Sequence, residues 1–353
     1  MLVLPSPFWD STLFFRGFAS FLTSFLAVII WGKPFVNFLR KHKMTQSIRR
    51  SGPASHYSKD GTPTMGGVLI ILFVTLSCFL WSDLSNVFVR LLLFVLWSFG
   101  LIGFWDDYKK MKFNQGISAV QKYLAQSFLA VAVIGLIFFL SRKLPTNIFA
   151  YFYIPYGGFF KYPGNVVGFC VLSYFVLVGS ANAVNLADGL DGLAIVLVIF
   201  ATLFFAILSG TVNYFHTVQL DFLSFVGGLN ELLVFCTALM GASLGFLWFN
   251  AYPARIFMGD IGSLSVGATI GTMAIIFRQE VIFFILSMVF VCETLSVIIQ
   301  FISRRLFNRK VFLMAPFHHH FELSGLHEST VVVRFWIIAS IFLVLSLFLF
   351  FNS

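Results

Sequence analysis

The sequence has few charged residues and no internal repeat. Only 10% of its 353 residues are Asp, Glu, Lys or Arg, whereas a soluble domain carries about 25%. The apolar set makes up 59% of the chain, and the mean hydropathy is +0.93. Such a chain cannot cover itself with a water-compatible surface, which excludes two or three soluble domains. We expect an all-α polytopic membrane protein in which residues 1–353 form a single integral membrane domain.

Cysteines are also scarce, and the four present (Cys78, Cys170, Cys236 and Cys292) all lie inside apolar runs. Their spacing matches neither a disulfide framework nor a metal site. The N-terminus has no basic region ahead of its apolar stretch and no small-residue cleavage site. We therefore interpret it as a mature terminus that leads into a first membrane span, not as a cleaved signal peptide.

Long continuous apolar runs, bounded by charged residues or Gly/Pro clusters, predict about ten transmembrane helices. A β-barrel would instead show alternating segments of about ten residues. The predicted spans are 14–39, 65–82, 87–105, 118–140, 166–184, 192–210, 231–248, 261–277, 280–303 and 331–351. Residues 145–165 differ, because aromatic residues flank a Pro-Tyr-Gly-Gly turn there, and we expect a small hairpin at one membrane face.

Most of the 23 Lys and Arg residues lie in alternate loops, on one side of the predicted spans. The positive-inside rule makes that side cytoplasmic and places both termini outside. The predicted cytoplasmic loops are about 40–64, 106–117, 185–191, 249–260 and 304–330. The formal net charge of +9 is mainly a signal of this topology, although it would also attract an anionic lipid head group or a nucleotide.

Five aspartates from three separate loops lie at this basic face: Asp106, Asp107, Asp188, Asp191 and Asp260. Any one of them could simply cap a helix, but ionisable groups at membrane depth usually mark function. Mg²⁺ is typically held by one or two carboxylates plus substrate phosphates, and lysines would neutralise a diphosphate. The lysines available are Lys59, Lys110 and Lys122. The pattern therefore predicts a magnesium-dependent phosphoryl-transfer site.

Three consecutive histidines, His318, His319 and His320, lie in the segment MAPFHHHFE. Consecutive residues cannot share one helix face, so the run is a weak candidate for a zinc site. We expect a loop that hydrogen-bonds a phosphate or a sugar, with plain surface as the alternative. Glu293, inside a predicted span, is either a structural hydrogen-bonding partner or a support for the site, and the sequence leaves both open.

Six motifs occur in order and resemble those of the phospho-N-acetylmuramoyl-pentapeptide transferases, from about residue 40 to the C-terminus. They are Thr62-Pro-Thr-Met-Gly-Gly67, Asp106-Asp107-Tyr-Lys-Lys, Asn182-x-x-Asn185-x-x-Asp188-Gly-Leu-Asp191-Gly-Leu, Phe249-Asn-Ala-Tyr-Pro-Ala254, Phe257-Met-Gly-Asp260-x-Gly-Ser263 and Ala315-Pro-Phe-His-His-His-Phe-Glu322. Ser51 and Ala187 depart from the family pattern, where Asp and Thr are more usual. Neither position is assigned to catalysis.

The resemblance implies ten helices in the bacterial cytoplasmic membrane, with periplasmic termini, a periplasmic hairpin and a cytoplasmic active site. The implied reaction moves phospho-MurNAc-pentapeptide from its UDP carrier to undecaprenyl phosphate, giving lipid I and UMP in peptidoglycan biosynthesis, with Mg²⁺ as cofactor. It also implies a homodimer, although no feature of this sequence specifies that interface, and no nucleic-acid partner.

The resemblance also implies roles for particular residues. The implied catalytic residues are Asp106, Asp107, Asp260, His318 and His319, with Asp260 the chief metal ligand and Asp106 and Asp107 as further candidates. The implied substrate-binding residues are Lys59, Thr64, Lys110, Lys122, Asn185, Asp188, Gly189, Leu190, Asp191, Asn250, Phe257, Gln300 and His320.

Two routes are open for the chemistry. A lipid phosphate is largely ionised near pH 7 if its second pKa is about 6, so it needs little help from a base such as Asp106. A metal-bound Asp260 would be a poor nucleophile, which favours direct attack over a phosphoryl-enzyme route. Rival functions are a phospho-GlcNAc transferase, which would share the aspartates, and an ion-coupled transporter, which would need acids near the midplane and a two-fold repeat.

Overall fold

The computed structural model describes residues 11–45, 59, 61–113, 115–141, 151–155, 159–163, 165–217 and 228–352. Its helices are α1 (Ser11–Lys41), α2 (Gly67–Trp81), α3 (Val87–Phe113), α4 (Ala119–Ser141), α5 (Val166–Ala187), α6 (Leu193–Thr217), α7 (Leu232–Asn250), α8 (Gly259–Ile276), α9 (Glu280–Leu286), α10 (Met288–Phe307), α11 (Phe317–Leu323) and α12 (Glu328–Phe351). A helix thus lies at each of the ten predicted spans.

Most of these helices are long and apolar enough to cross a membrane. Eight meet both requirements among the described residues: α1, α3, α4, α5, α6, α7, α8 and α12. The bent pair α9 and α10 counts as a ninth span if the two are taken together. Helix α2 has 15 residues, or about 22 Å at 1.5 Å per residue, which is short for a span. The prediction of an all-α polytopic membrane protein is confirmed.

The ninth predicted span, 280–303, is not one straight helix. It breaks at Ser287, and α9 and α10 meet there at 79°. Ser287 has φ −90° and ψ 17°, outside the regular helix, and its hydroxyl donates to the carbonyl of Phe283 at 2.6 Å. The prediction of one continuous span was wrong because the apolar run continues unchanged through Ser287, and hydropathy does not report a local change of backbone angle.

A small hairpin follows α4. Strands β1 (Tyr151–Pro155) and β2 (Phe159–Pro163) pair antiparallel, with Tyr151 opposite Pro163 and Pro155 opposite Phe159. The hairpin predicted near 145–165 is confirmed by these strands, while 145–150, 156–158 and 164 lie outside the described residues. Its position on the periplasmic side stays a prediction.

Helix α8 lies at the centre of the bundle and packs closely on its neighbours. A Cβ on Gly103 of α3 would lie 2.2 Å from the carbonyl oxygen of Asp260, and one on Gly267 would lie 2.7 Å from the carbonyl oxygen of Ser180 in α5. Gly241 of α7 meets α1 in the same way, at Phe21. The glycine pairs at 241/245 and 267/271 therefore serve helix packing. Helix α8 carries Asp260 to a position between α3 and α5.

The antiparallel succession of helices gathers polar residues at two opposite ends of the bundle. At one end, Arg16 pairs with Glu231 at 2.8 Å, and Glu231 also accepts the backbone N–H of Asp83 at 2.6 Å. We call this the Arg16 end. The end of α3, the start of α4, the end of α5 and the start of α8 lie at the other, which we call the aspartate end.

Candidate active site

Asp260 lies in the first turn of α8 and holds polar groups from three other helices. Its Oδ1 accepts a hydrogen bond from Asn185 of α5 at 2.9 Å. Its Oδ2 accepts one from Lys110 of α3 at 3.0 Å and also meets the ammonium group of Lys122 of α4. The two ammonium groups and the amide leave both oxygens of Asp260 engaged.

Asp106 lies beside Asp260 and shares its lysines. The Nζ of Lys110 is 2.9 Å and that of Lys122 is 3.5 Å from Oδ2 of Asp106. The other oxygen, Oδ1, accepts the backbone N–H of Ile117 at 2.7 Å, so the segment that leads into α4 folds against it. We call Asp106, Lys110, Lys122, Asn185 and Asp260 the lysine–aspartate cluster.

Asp107 is the next residue, but it faces the backbone of α8. Its Oδ2 accepts the N–H of Ile261 at 3.1 Å, while its Oδ1 lies 3.8 Å from Nζ of Lys110. The first N–H groups of a helix have no partner within it, and a negative charge is favourable there. Asp107 therefore caps α8 from α3, which ties these two helices together at the site.

Asp188 follows the last residue of α5 and lies near the same carboxylates. Burial, and then the charges of Asp260, Asp107 and Asp191, raise the pKa of Asp188 well above its usual range, and a hydrogen bond from the backbone of Gly259 opposes the shift. A carboxyl group with a raised pKa can hold a proton at the edge of the site.

Lys59 and Asp191 form a second network with a residue that the sequence did not single out. The Nζ of Lys59 is 2.7 Å from Asp191 and 2.5 Å from Glu328. Asp191 also accepts the N–H of Ala254 at 2.9 Å and donates its own N–H to Glu328 at 3.0 Å. The only sequence signal for Glu328 was a charged residue just before the last predicted span. We call Lys59, Asp191 and Glu328 the Lys59 network.

A cavity of about 490 Å³ opens beside the Lys59 network. This volume lies in the range of small-molecule sites. The lining residues are Lys59, Thr62, Asp191, Tyr252, Pro253, Ala254, Glu322, Gly325, Leu326, His327 and Glu328. The cavity thus combines two acids and a lysine of the network with the aromatic side chains of Tyr252 and His327.

Two predicted binding residues use their amides to hold loops. Asn250 accepts the N–H of Gly192 at 3.1 Å and donates to the carbonyl of Ile256 at 2.9 Å. Gln300 accepts the N–H groups of Val311 and Phe312, each at 3.0 Å, and donates to the carbonyl of Phe312 at 2.9 Å.

Three more predicted binding residues lie beside these elements. The buried hydroxyl of Thr64 has no hydrogen-bond partner among the described residues. The backbone of Phe257 pairs with Pro63 and Gly66, each at 2.8 Å, and this fixes the approach to α8 while its ring stays half-buried. Leu190 is buried in the core.

The three histidines lie on the short helix α11, not in the loop predicted for them. Each takes a different partner: His318 lies 3.1 Å from Glu293, His319 lies 2.8 Å from Glu322, and His320 accepts the N–H of Leu313 at 3.2 Å. They do not share one face, as expected for consecutive helical residues. The loop prediction failed because a run of histidines gives no strong periodic signal for seven helical residues.

His318 is fully buried between Glu293 and Gly189. Its Nδ1 faces the carboxylate of Glu293, which is 1% exposed, and a Cβ on Gly189 would lie 2.5 Å from its Nε2. Neither Nε2 of His318 nor Oε1 of Glu293 has a hydrogen-bond partner among the described residues. Glu293 is therefore a hydrogen-bonding partner of the histidine beneath the loop that follows α5.

The donor set at the lysine–aspartate cluster can be compared with the needs of Mg²⁺. Within the described residues, no group of three or more His, Cys, Asp or Glu side chains is arranged to hold a metal ion. Mg²⁺ needs fewer protein ligands, because one or two carboxylates usually bind it together with phosphates and water. Asp260 and Asp106 offer oxygens on the same lysines, at 3.0 and 2.9 Å from Lys110. The residues fit a cation that binds together with a phosphate-bearing substrate.

Known proteins are similar to this chain in sequence, including the segments that carry the site residues. The model of glycosyl transferase family 4 matches residues 89–278, and the phospho-N-acetylmuramoyl-pentapeptide-transferase signature 1 matches residues 59–71. The phospho-N-acetylmuramoyl-pentapeptide-transferase of Buchnera aphidicola subsp. Baizongia pistaciae (strain Bp) is 44% identical over 341 residues, which is 94% of this chain and 97% of that relative. The chain therefore belongs to the phospho-N-acetylmuramoyl-pentapeptide transferase family and is a multi-pass membrane transferase.

Proposed function

We propose that this enzyme transfers phospho-MurNAc-pentapeptide from UDP-MurNAc-pentapeptide to undecaprenyl phosphate, giving lipid I and UMP in peptidoglycan biosynthesis. The observation that carries the proposal is the lysine–aspartate cluster, in which Lys110, Lys122 and Asn185 converge on Asp260 at the end of the bundle. A diphosphate substrate needs this combination of cations, hydrogen-bond donors and carboxylates, since phosphoryl transfer depends on positioning and on charge stabilisation.

The cavity beside the Lys59 network supports a place for the nucleotide. Its volume of about 490 Å³ suits a nucleoside, and it combines charged groups with the ring of Tyr252. Phe257 lies in the chain between Ala254, which lines this cavity, and Asp260, while Asp188 lies near both Asp191 and Asp260. The diphosphate would therefore extend toward the lysine–aspartate cluster. From the family resemblance, we assign Gln300 and the histidines of α11 to the sugar-peptide end of the substrate.

We favour direct attack of the lipid phosphate on the β-phosphorus of the UDP-sugar. The lipid phosphate is already largely ionised near pH 7, with a second pKa of about 6. Oδ1 of Asp106 is engaged by Ile117 and Oδ2 by lysines, which suits a residue that positions cations. Asp106 would accept a proton only from the small fraction of lipid phosphate that is still protonated. Lys110 and Lys122 would turn from the carboxylates to the phosphates as substrate enters.

Asp260 and Asp106 are the residues that would hold Mg²⁺, which would neutralise charge on the diphosphate. The competing two-step route makes an aspartate the nucleophile and forms a phosphoryl-enzyme. In the structure Asp260 already accepts a hydrogen bond from Asn185, and holding Mg²⁺ would lower its nucleophilicity further, which supports the direct route.

UMP release tests the proposal. Purified protein should release UMP only when UDP-MurNAc-pentapeptide, undecaprenyl phosphate and Mg²⁺ are all present. Asp260→Ala should lower kcat by about a hundredfold or more, as expected when a preorganised charge contact is lost. Asp83→Ala is a matched control, because Asp83 is an exposed aspartate at the opposite end of the bundle.

Other outcomes would change the conclusion. Release without the lipid acceptor would favour the two-step route. Release with UDP-GlcNAc as the donor, but not with UDP-MurNAc-pentapeptide, would indicate a phospho-GlcNAc transferase. No release from either sugar nucleotide would overturn the proposed function.

A further inference from the structure

Helix α4 carries Lys122 into the site, although much of α4 faces outward. Val120, Leu124 and Phe128 are exposed on its surface. Apolar packing on such a helix fixes neither its position along the membrane normal nor its rotation about its own axis, because neighbouring lipid tails are as apolar as its side chains. The position of Lys122 against Asp260 therefore depends on specific polar contacts.

One such contact lies a single helical turn from Lys122. Gln126 is fully buried, and its Oε1 accepts a hydrogen bond from Nδ2 of Asn182 at 2.6 Å. The Nε2 of Gln126 lies 3.4 Å from Oδ1 of Asn182. Asn182 also donates to the carbonyl of Val178, in its own helix, at 2.8 Å. Each amide thus meets the other across α4 and α5, and both N–H donors of Asn182 are engaged within the protein.

The spacing connects this pair to the lysine–aspartate cluster. Lys122 and Gln126 are four residues apart, and Asn182 and Asn185 are three apart, so each pair lies on one face of its helix. Lys122 and Asn185 both contact Asp260, on Oδ2 and on Oδ1. A change of register between α4 and α5 would move Lys122 relative to Asn185, and both could no longer hold Asp260.

We propose that Gln126 and Asn182 are positioning residues, whose reciprocal amide contact sets the register of α4 against α5 so that Lys122 and Asn185 engage Asp260 together. This rests on the proposed function for its catalytic consequence. A buried amide has only another polar group as an acceptable partner, which makes the pair specific for one register.

A second link between the same helices provides a matched control. The hydroxyl of Tyr174 in α5 lies 2.7 Å from that of Ser127 and donates to that of Tyr123 at 2.6 Å, both in α4. Tyr174→Phe removes these contacts, and among the hydrogen bonds of the described residues neither Ser127 nor Tyr123 is joined to Asp260. If any polar link between α4 and α5 could position Lys122 equally well, Tyr174→Phe and Gln126→Leu would have the same effect on kcat.

The test compares wild type, Gln126→Leu, Asn182→Leu, the double variant and Tyr174→Phe for UMP release and for melting temperature in detergent. Each single variant at the pair should lose kcat by about tenfold or more, with KM for the UDP-sugar within about threefold, as expected for a small misplacement of catalytic groups. The double variant leaves no unpaired amide, so its melting temperature should recover while kcat stays low. Tyr174→Phe should keep near wild-type kcat.

Two results would overturn the proposal. The first is recovery of kcat together with stability in the double variant, which would make the pair purely structural. The second is an equal loss of kcat in Tyr174→Phe.

A readout independent of activity separates this proposal from the proposed function. The side chain of Lys122 is 17% exposed in contact with Asp260, and release from that contact should make it react faster with an amine-reactive reagent, measured by peptide mass spectrometry. Faster labelling in Gln126→Leu but not in Tyr174→Phe would support positioning even if wild type released no UMP. Unchanged labelling would count against it.

Discussion

The aspartates at the site are chemically alike, but their surroundings differ. Asp260 meets two ammonium groups and an amide, Asp107 accepts the N–H of Ile261 and Asp191 lies against Lys59. For Asp188, burial and the like charges around it raise the pKa well above its usual range, so this carboxyl group favours its protonated form.

Stability should depend on pH through Asp188. Its pKa is raised above the ordinary value of 3.8, so the folded state binds the proton more tightly than the unfolded state. Stability therefore falls as pH rises from the unfolded pKa through the raised folded pKa. Asp188→Asn cannot ionise, so its melting temperature should exceed that of wild type at about pH 8 and fall less between about pH 5 and pH 8.

Asp83→Asn is the control. Hydrogen bonds from Ser85 lower the pKa of the exposed Asp83, which is the opposite direction to the shift at Asp188. Superimposable curves for wild type and Asp188→Asn would contradict the assignment.

Gly189 should not tolerate a side chain. The Cβ of Gly189→Ala would lie 2.5 Å from Nε2 of His318, and this ring cannot easily move because Glu293 holds its other nitrogen. We expect a destabilisation of about 1–3 kcal/mol, typical of overpacking, with a lower kcat as the loop shifts. Melting temperature and UMP release measure the two effects. In Gly179→Ala, whose Cβ would meet nothing within 4 Å, both should stay near wild type.

At the scale of elements, α8 positions the site because α3 and α5 approach it without side chains between them. Gly103 places its Cα beside the carbonyl of Asp260, and Asp107 caps the same helix one turn further along α3. The contact therefore sets where Asp106 and Lys110 lie relative to Asp260.

Gly103→Ala should separate α3 from α8. Its Cβ would meet backbone atoms of Asp260 at 2.2 and 2.3 Å, and backbone cannot rotate away as a side chain can. We expect about 2–3 kcal/mol of destabilisation and a loss of kcat, since Asp106 and Lys110 move with α3. Gly135→Ala, on the open surface of α4, is the control for an alanine in a helix. Wild-type activity in Gly103→Ala would show that the site does not need this close approach.

Most elements could be predicted from hydropathy, but some of their ends and breaks could not. The spans predicted at 166–184 and 192–210 correspond to α5 (Val166–Ala187) and α6 (Leu193–Thr217). Their apolar runs stop at polar residues, which the sequence displays directly. The break at Ser287 lies inside an unbroken apolar run, so only the backbone conformation shows it.

At the scale of the whole molecule, the two polar ends should face opposite sides of the membrane. The basic loops belong to the aspartate end, which the positive-inside rule places in the cytoplasm. Lys41 ends α1 at that end, and Asn352 follows α12 at the Arg16 end. Both residues are exposed, so each is suitable for labelling.

Cysteine labelling in intact cells tests this orientation. After replacement of the four native cysteines, Asn352→Cys should react with a membrane-impermeant maleimide, and Lys41→Cys should react only after permeabilisation. Lys41→Cys is thus the matched control for access of the reagent. The reverse pattern would invert the topology and place the proposed active site outside the cytoplasm.

Composition, apolar runs and motif order determined the class of this protein, most of its helical spans and the family it resembles, because these are properties of the chain read locally. Only the tertiary structure decided which partner each polar group takes. Asp107 caps α8, Lys59 pairs with Glu328 and Glu293 supports His318 across separations that no local pattern encodes. The physical reason is that helix packing sets these contacts, and packing follows from how whole surfaces fit together.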